Sequence, residues 1–186
     1  MGHEGAPRAW ERESTERGAD HGIFGIRTDR ARSPRNGKVH NFTVVTSMDG
    51  VTVLALTPEG ELVMVEQFRH ALRTVTLETP SGFMEAGEEP VAAALRELRE
   101  ETGYAGDAAE IVGVMELNPS WQTMRVHVAV VRNAHRAAER DQDEAEDIRV
   151  LTFPRERVRE LARTGGIRAA VSLAALALLD WGDDNR

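Results

Sequence analysis

Apolar positions along the first two thirds of the chain alternate more often than they recur at helical spacing. "HGIFGIRTDRAR" and "KVHNFTVVTS" have strand-like composition, and "SPRNG" at Ser33–Gly37 between them predicts a turn. "GVTVLALTPEGELVMVEQFR" holds two β-rich runs around Pro58-Glu59-Gly60, which predicts a hairpin. "RTVTLETPSG" reads as a further short strand, closed by Pro80 and Gly82. The period then changes. Pro90 stands where a helix would start, Val91, Ala94, Leu95 and Leu98 recur at helical spacing as a buried stripe, and Gly103 stops the helix after Thr102. Strands are predicted at about 108–117 and 122–132, the second alternating in "MRVHVAVV". A charged loop, "RAAERDQDEAED", leads into the strand "IRVLTF". Two helices follow, "PRERVRELART" and, after Gly165-Gly166, "IRAAVSLAALALLD". Residues 1–20 are polar and aperiodic, so a flexible or loosely docked start is expected, with one domain over 21–186. The class is α+β, a mixed fold rich in antiparallel strands with few helices.

Composition narrows the setting. Of 186 residues, 41% are apolar and 29% charged, which is ordinary for a globular chain long enough to bury a core. The longest near-apolar run, Ala169 to Leu179, is broken by Ser172 and is too short to span a bilayer. The first residues lack the apolar centre of a signal peptide. With no cysteine there is neither a disulfide framework nor thiolate chemistry, so a reducing cytoplasm is expected. A net charge of −8 argues against a general nucleic-acid binder and leaves room for a small anionic substrate held through a metal.

The arrangement of that charge matters more than its sum. On the predicted helix Glu97 lies i,i+3 from Glu100 and i,i+4 from Glu101, so three carboxylates share one face. Like charges so placed cost a bare helix about 0.2–0.5 kcal/mol per pair. They persist more easily with something positive among them, and hard divalent cations such as Mg²⁺ and Mn²⁺ prefer oxygen ligands. Arg96, i,i+4 from Glu100, could fix one carboxylate instead, and a merely solvated charged face is the ordinary alternative.

The surrounding spacing is more specific. Gly82, five residues, Glu88, seven residues, Arg96-Glu97-Leu98, one residue, Glu100-Glu101, one residue and Gly103 resembles the Nudix signature position by position. Tyr104 stands where that pattern has a bulky aliphatic, a departure that touches packing rather than chemistry. The resemblance implies a mixed sheet sandwiched between helices, with the signature as loop–helix–loop, and hydrolysis of a nucleoside diphosphate linked to another moiety. It also implies bound Mg²⁺ or Mn²⁺, with Glu97 and Glu101 as first ligands, Glu100 as a ligand or neighbour in catalysis, and the Ser81 carbonyl as an extra ligand. Gly82, Glu88, Arg96 and Gly103 would be structural, Glu88 bracing Arg96 or the loop.

The flanks resemble the ADP-ribose pyrophosphatase branch. "VEQFRHALRTVTLETPSG" is similar to its Gln-aromatic-Arg strand, which would let Arg69 reach substrate phosphate and set Glu78 near the substrate or a dimer seam. Pro119 lies where that branch carries a proline, and "DEAEDIRVLTF" resembles its mobile acidic loop. A loop carboxylate delivered by closure could act as general base, Glu144 first, then Glu146 and Asp147. "SWQTMRVH" replaces a glycine-containing turn common in the branch, and Trp121 there would stack on a base or sugar or cover the sheet edge. His127, His70 and Met84 read as structural or surface residues. The N-terminal strands, about 21–47, resemble a homodimer-forming extension, from which Phe24, Arg30 or Arg32 could reach a neighbouring site. These features imply hydrolysis of ADP-ribose or a related nucleoside diphosphate sugar. GDP-mannose, a CDP-alcohol or an oxidised nucleotide is the alternative substrate, and a non-catalytic nucleotide sensor the alternative class.

Overall fold

The computed structural model describes residues 5–137 and 147–183, with side chains to 180. Contacts divide the chain into two compact units, Met1–Met48 with Glu116–Met124, and Asp49–Met115 with Arg125–Arg186.

The first unit is built on an antiparallel sheet of β1 (Glu11–Asp20), β2 (Phe24–Arg32) and β3 (Val39–Ser47), in that order. The β2–β3 turn is the one predicted: the Gly37 N–H donates to the Ser33 carbonyl at 2.9 Å, and Gly37 takes φ +71°. β1 corrects the expectation of a flexible start. Every residue of it is exposed, so no side-chain alternation marked it as a strand. Its backbone ladder to β2 holds it, helped by cross-strand contacts such as the Thr15 hydroxyl on Asp29 at 2.6 Å and Glu13 between Arg30 and Arg32.

The second unit contains β4 (Gly50–Ala55), β5 (Glu61–Arg69), β6 (Thr74–Glu78), β7 (Ser81–Phe83), α1 (Pro90–Thr102), β8 (Tyr104–Ala105) and, except for its last residue, β9 (Ala109–Glu116). It continues with β10 (Arg125–Val131), β11 (His135–Arg136), β12 (Ile148–Pro154), α2 (Arg155–Thr164) and α3 (Ala170–Asp183). One sheet runs β7-β4-β10-β9, with β4 and β10 parallel; another runs β12-β5-β6, antiparallel; β8 pairs with β11. Among the described residues, mixed and antiparallel sheets with three helices make the chain α+β. Among the described residues no helix is long and apolar enough to cross a membrane.

The predicted hairpin is half right. Gly60, at φ +81°, closes the turn with its N–H on the Thr57 carbonyl at 2.9 Å. After the single bridge Leu56↔Leu62, however, β4 and β5 diverge into different sheets. The reason is that both faces of β4 are buried. Val51, Val53 and Ala55 pack with Ala93, Ala94 and Leu98 of α1, while Leu54 and the adjoining Leu56 pack with Val158 of α2 and Ala175 and Leu179 of α3. β10 divides the same way, Ala129 and Val131 toward α1, Val128 and Val130 toward α2 and α3. Strands covered on both sides read as continuous apolar runs, and their partner is set by those layers rather than by the nearest turn.

α1 has the predicted bounds, but its buried stripe is rotated. Val91, in the first turn, is 38% exposed, while Ala93, Ala94 and Leu98 are fully buried and Glu101 lies on the same inner face. A glutamate at a core position hides the stripe from hydropathy. Leu98→Ala is therefore expected to cost about 2–5 kcal/mol, and Val91→Ala no more than about 0.5 kcal/mol, as read by urea unfolding. Equal costs would refute this placement of the helix.

Candidate functional site

The site grows from the two ends of one loop–helix unit. Pro90 opens α1, and Gly103, at φ +72°, ends it with its N–H on the Arg99 carbonyl at 2.8 Å. Arg96 then projects where a guanidinium can spend every donor it has. Its Nε and Nη2 each donate to Glu88 at 2.9 Å, a bidentate pair. Nη1 donates to Glu97 Oε1 at 2.8 Å and to Glu100 Oε2 at 3.0 Å. Nη2 also donates to the Phe83 carbonyl at 3.0 Å. Five N–H groups thus meet five acceptors. Glu88 foremost, with Glu97 and Glu100, holds the guanidinium charge above its already high ordinary pKa. Arg96 in return, opposed by some burial and helped by the Glu85 N–H, holds the Glu88 carboxyl below its usual range.

The second end is the Ser81–Gly82 corner of β7. A Cβ on Gly82 would lie 2.1 Å from Glu97 Cδ and 2.2–2.3 Å from both its oxygens, so only glycine admits that carboxylate. The neighbouring Ser81 N–H donates to Glu101 Oε2 at 2.9 Å, with Glu101 only 3% exposed. β7 lies on β4 with Thr52 opposite Ser81 and Val51 opposite Gly82, so a buried strand carries the corner. The helical carboxylates consequently differ: Glu101 is in the core, Glu97 close against Gly82, and Glu100 the most open.

Carboxylates of this kind suit a hard divalent cation. Among the described residues, though, no three His, Asp or Glu side chains converge as a ready-made cage. Arg96 draws Glu97 and Glu100 to its own donors, and the Ser81 amide draws Glu101. The donor chemistry fits Mg²⁺ or Mn²⁺ where further oxygens come from a phosphate ligand, the usual manner for Mg²⁺.

The other candidates fall elsewhere. Arg69 and Glu78 meet in a two-point pair of 3.0 and 2.7 Å, across β5 and β6. Thr76 also donates to Glu78, at 2.5 Å; it lies two residues earlier on the same strand, so period-two spacing could have singled it out. Burial pushes the Glu78 carboxyl up, but Arg69 and Thr76 outweigh it and hold it below its usual range. Trp121 belongs to the first unit, where it is half exposed and its carbonyl accepts from the Val45 N–H at 2.8 Å. Glu144 and Glu146 lie outside the described residues, and Asp147 is exposed just before β12. The Phe83 carbonyl, a backbone acceptor, left no signal in the residue types. His70 stacks edge-on against Phe68, with ring centroids 5.2 Å apart.

Comparison with known proteins gives four results. A family model described as NUDIX domain matches residues 46–174. The chain is 34% identical over 145 residues to an ADP-ribose pyrophosphatase of Bacillus subtilis (strain 168), covering 77% of this chain and 78% of that one. It is also 34% identical over 158 residues to a GDP-mannose pyrophosphatase of Salmonella arizonae, covering 78% and 81%. A solved structure titled "Crystal structure of ADP compounds hydrolase" superposes with TM-score 0.84 at 18% identity, over 97% of each chain, a likeness of fold.

The Arg69–Glu78 pair makes a pH prediction. Glu78 titrates lower folded than unfolded, so its stabilisation is present above its ordinary value of 4.5 and is lost as pH falls through the folded value. Glu78→Gln should lower Tm near neutral pH, and its deficit against the parent should shrink steadily below about pH 4.5. A deficit that stays constant into acid would disprove the assignment.

Proposed function

The chain belongs to the NUDIX family, and on that premise we propose that it is a divalent-metal-dependent pyrophosphohydrolase of the ADP-ribose pyrophosphatase type. It cleaves the diphosphate of ADP-ribose or a related nucleoside diphosphate sugar; with ADP-ribose and water the products are AMP and ribose 5-phosphate. The observation that carries this reading is the Gly82–Glu97 approach beside the Ser81–Glu101 bond, which brings two of the signature's carboxylates to one corner.

Glu97 and Glu101 would hold the cation, with Glu100 and the Ser81 carbonyl as further ligands, and either Mg²⁺ or Mn²⁺ would suit such oxygens. When bound, the cation neutralises pyrophosphate oxygens and makes a water more acidic. Arg96 keeps Glu97 and Glu100 oriented before substrate arrives, which lowers the reorganisation needed on binding. Arg69, held in place by its two-point pair with Glu78, presents positive charge to phosphate, and Trp121 offers a face for the base or sugar. Glu144, with Glu146 and Asp147 as neighbours, takes the proton from the attacking water. The extension 21–47, with β1 paired along it, forms a homodimer, and the enzyme works in the cytoplasm. A second reading, a GDP-mannose pyrophosphatase, is favoured by the relative from Salmonella arizonae.

The test is hydrolysis of ADP-ribose, GDP-mannose, UDP-glucose, CDP-choline and an oxidised dGTP with each metal, products separated by chromatography. AMP and ribose 5-phosphate should dominate, whereas preference for GDP-mannose would transfer the assignment to the second reading. Glu101→Gln should abolish turnover with the fold intact; normal turnover would refute the metal assignment. Gly82→Ala should cut kcat about a hundredfold, since a displacement of about 1 Å at a reacting centre costs that much, and an active Ala variant would remove Glu97 from the cation site.

A further inference from the structure

Ser172 interrupts the apolar run of α3, where alanine would favour the helix more. It is 1% exposed, and the carboxylate site has no direct use for it. Its hydroxyl oxygen accepts the Thr79 N–H at 3.0 Å and lies 3.0 Å from Thr79 Oγ1. Thr79 Oγ1 in turn lies 2.7 Å from Thr52 Oγ1. Thr52 donates to the Pro80 carbonyl at 3.4 Å, and the same carbonyl accepts the Val53 N–H at 2.8 Å. Thr52 and Thr79 are as buried as Ser172.

Each hydroxyl has one proton to give. With Thr52 donating to the Pro80 carbonyl, one consistent direction has Thr79 donate to Thr52 and Ser172 donate to Thr79. Every hydroxyl then gives one bond and takes one, with none orphaned in the core. The relay grips both residues between Glu78, the partner of Arg69, and Ser81-Gly82, which meet Glu101 and Glu97. Pro80 cannot donate to any ladder, so this link depends on side-chain bonds more than an ordinary strand connection does.

We propose that Ser172 is a positioning residue for the cation corner, acting through Thr79 and Thr52 to hold the backbone of Thr79 to Gly82 where Glu97 and Glu101 can use it. The inference rests on the hydrolase reading for its consequence in catalysis, and on the geometry alone for the positioning. It assigns a role to α3, outside the signature, in the metal affinity of the signature.

Two readouts on the full chain test it. The first is amide hydrogen exchange of the metal-free protein, comparing Ser172→Ala with Val158→Ala, a buried core change on α2 outside the relay. In Ser172→Ala the Ser81, Gly82 and Phe83 amides should exchange about tenfold faster than in the control, roughly the effect of losing one buried hydrogen bond. The second is titration with Mn²⁺ alone, which should bind about tenfold more weakly on the same grounds. Thr79→Val keeps the shape but removes the middle hydroxyl, so it should reproduce the Mn²⁺ loss, and the double variant should lose less than the product of the two. It also serves if Ser172→Ala fails to fold. Exchange no faster than in the Val158→Ala control, or unaltered Mn²⁺ affinity in a folded variant, would overturn the proposal. A parent protein that neither binds Mn²⁺ nor turns over any substrate would instead sink the hydrolase reading, with the exchange comparison still deciding the relay.

Discussion

Carboxylates crowd together on α1 because one guanidinium stands among them. Like charges at these helical spacings cost a bare helix about 0.2–0.5 kcal/mol per pair. Arg96 offsets that cost for Glu88, Glu97 and Glu100 by meeting each with a directed bond, and it ties the helix to the Phe83 carbonyl as well. An ammonium could supply the charge but not the planar fork of five donors. The helix and the loop before it are therefore one electrostatic unit.

Placement of the unit depends on β4. That strand is buried on both faces, α1 on one and α2 with α3 on the other, and β7 lies along its edge. Its register with β7 sets Gly82 under Glu97 and Ser81 beside Glu101. Polar demands of the same region are met inside the core by the Ser172, Thr79 and Thr52 hydroxyls. Apolar layers supply the free energy of folding; the few buried polar groups choose one arrangement among those the layers allow.

The element order was legible because most elements obey a local rule. α1 begins at a proline and ends at a left-handed glycine, and both turns that needed Gly37 or Gly60 have them. Departures came where distant parts of the chain decide. β1 has no buried face, so nothing in its residue types separated it from loop. β4 and β5 looked like a hairpin, since a turn is local, whereas the choice of sheet depends on the layers above and below. Val91 seemed part of the inner stripe and Glu101 part of a shared carboxylate face, because hydropathy has no way to foresee a glutamate buried against a backbone amide.

Spacing by itself determined the family: two glycines, four glutamates and an arginine at fixed intervals form its signature, and no folding was needed to read them. What only the tertiary structure decided is how those residues are shared out. Arg96 divides itself among three carboxylates, Glu101 turns to the Ser81 amide, and Arg69 is committed to Glu78. Each outcome is a competition among donors from different strands and helices for the same acceptors. Such a competition depends on distances across the fold, which intervals along a chain do not contain.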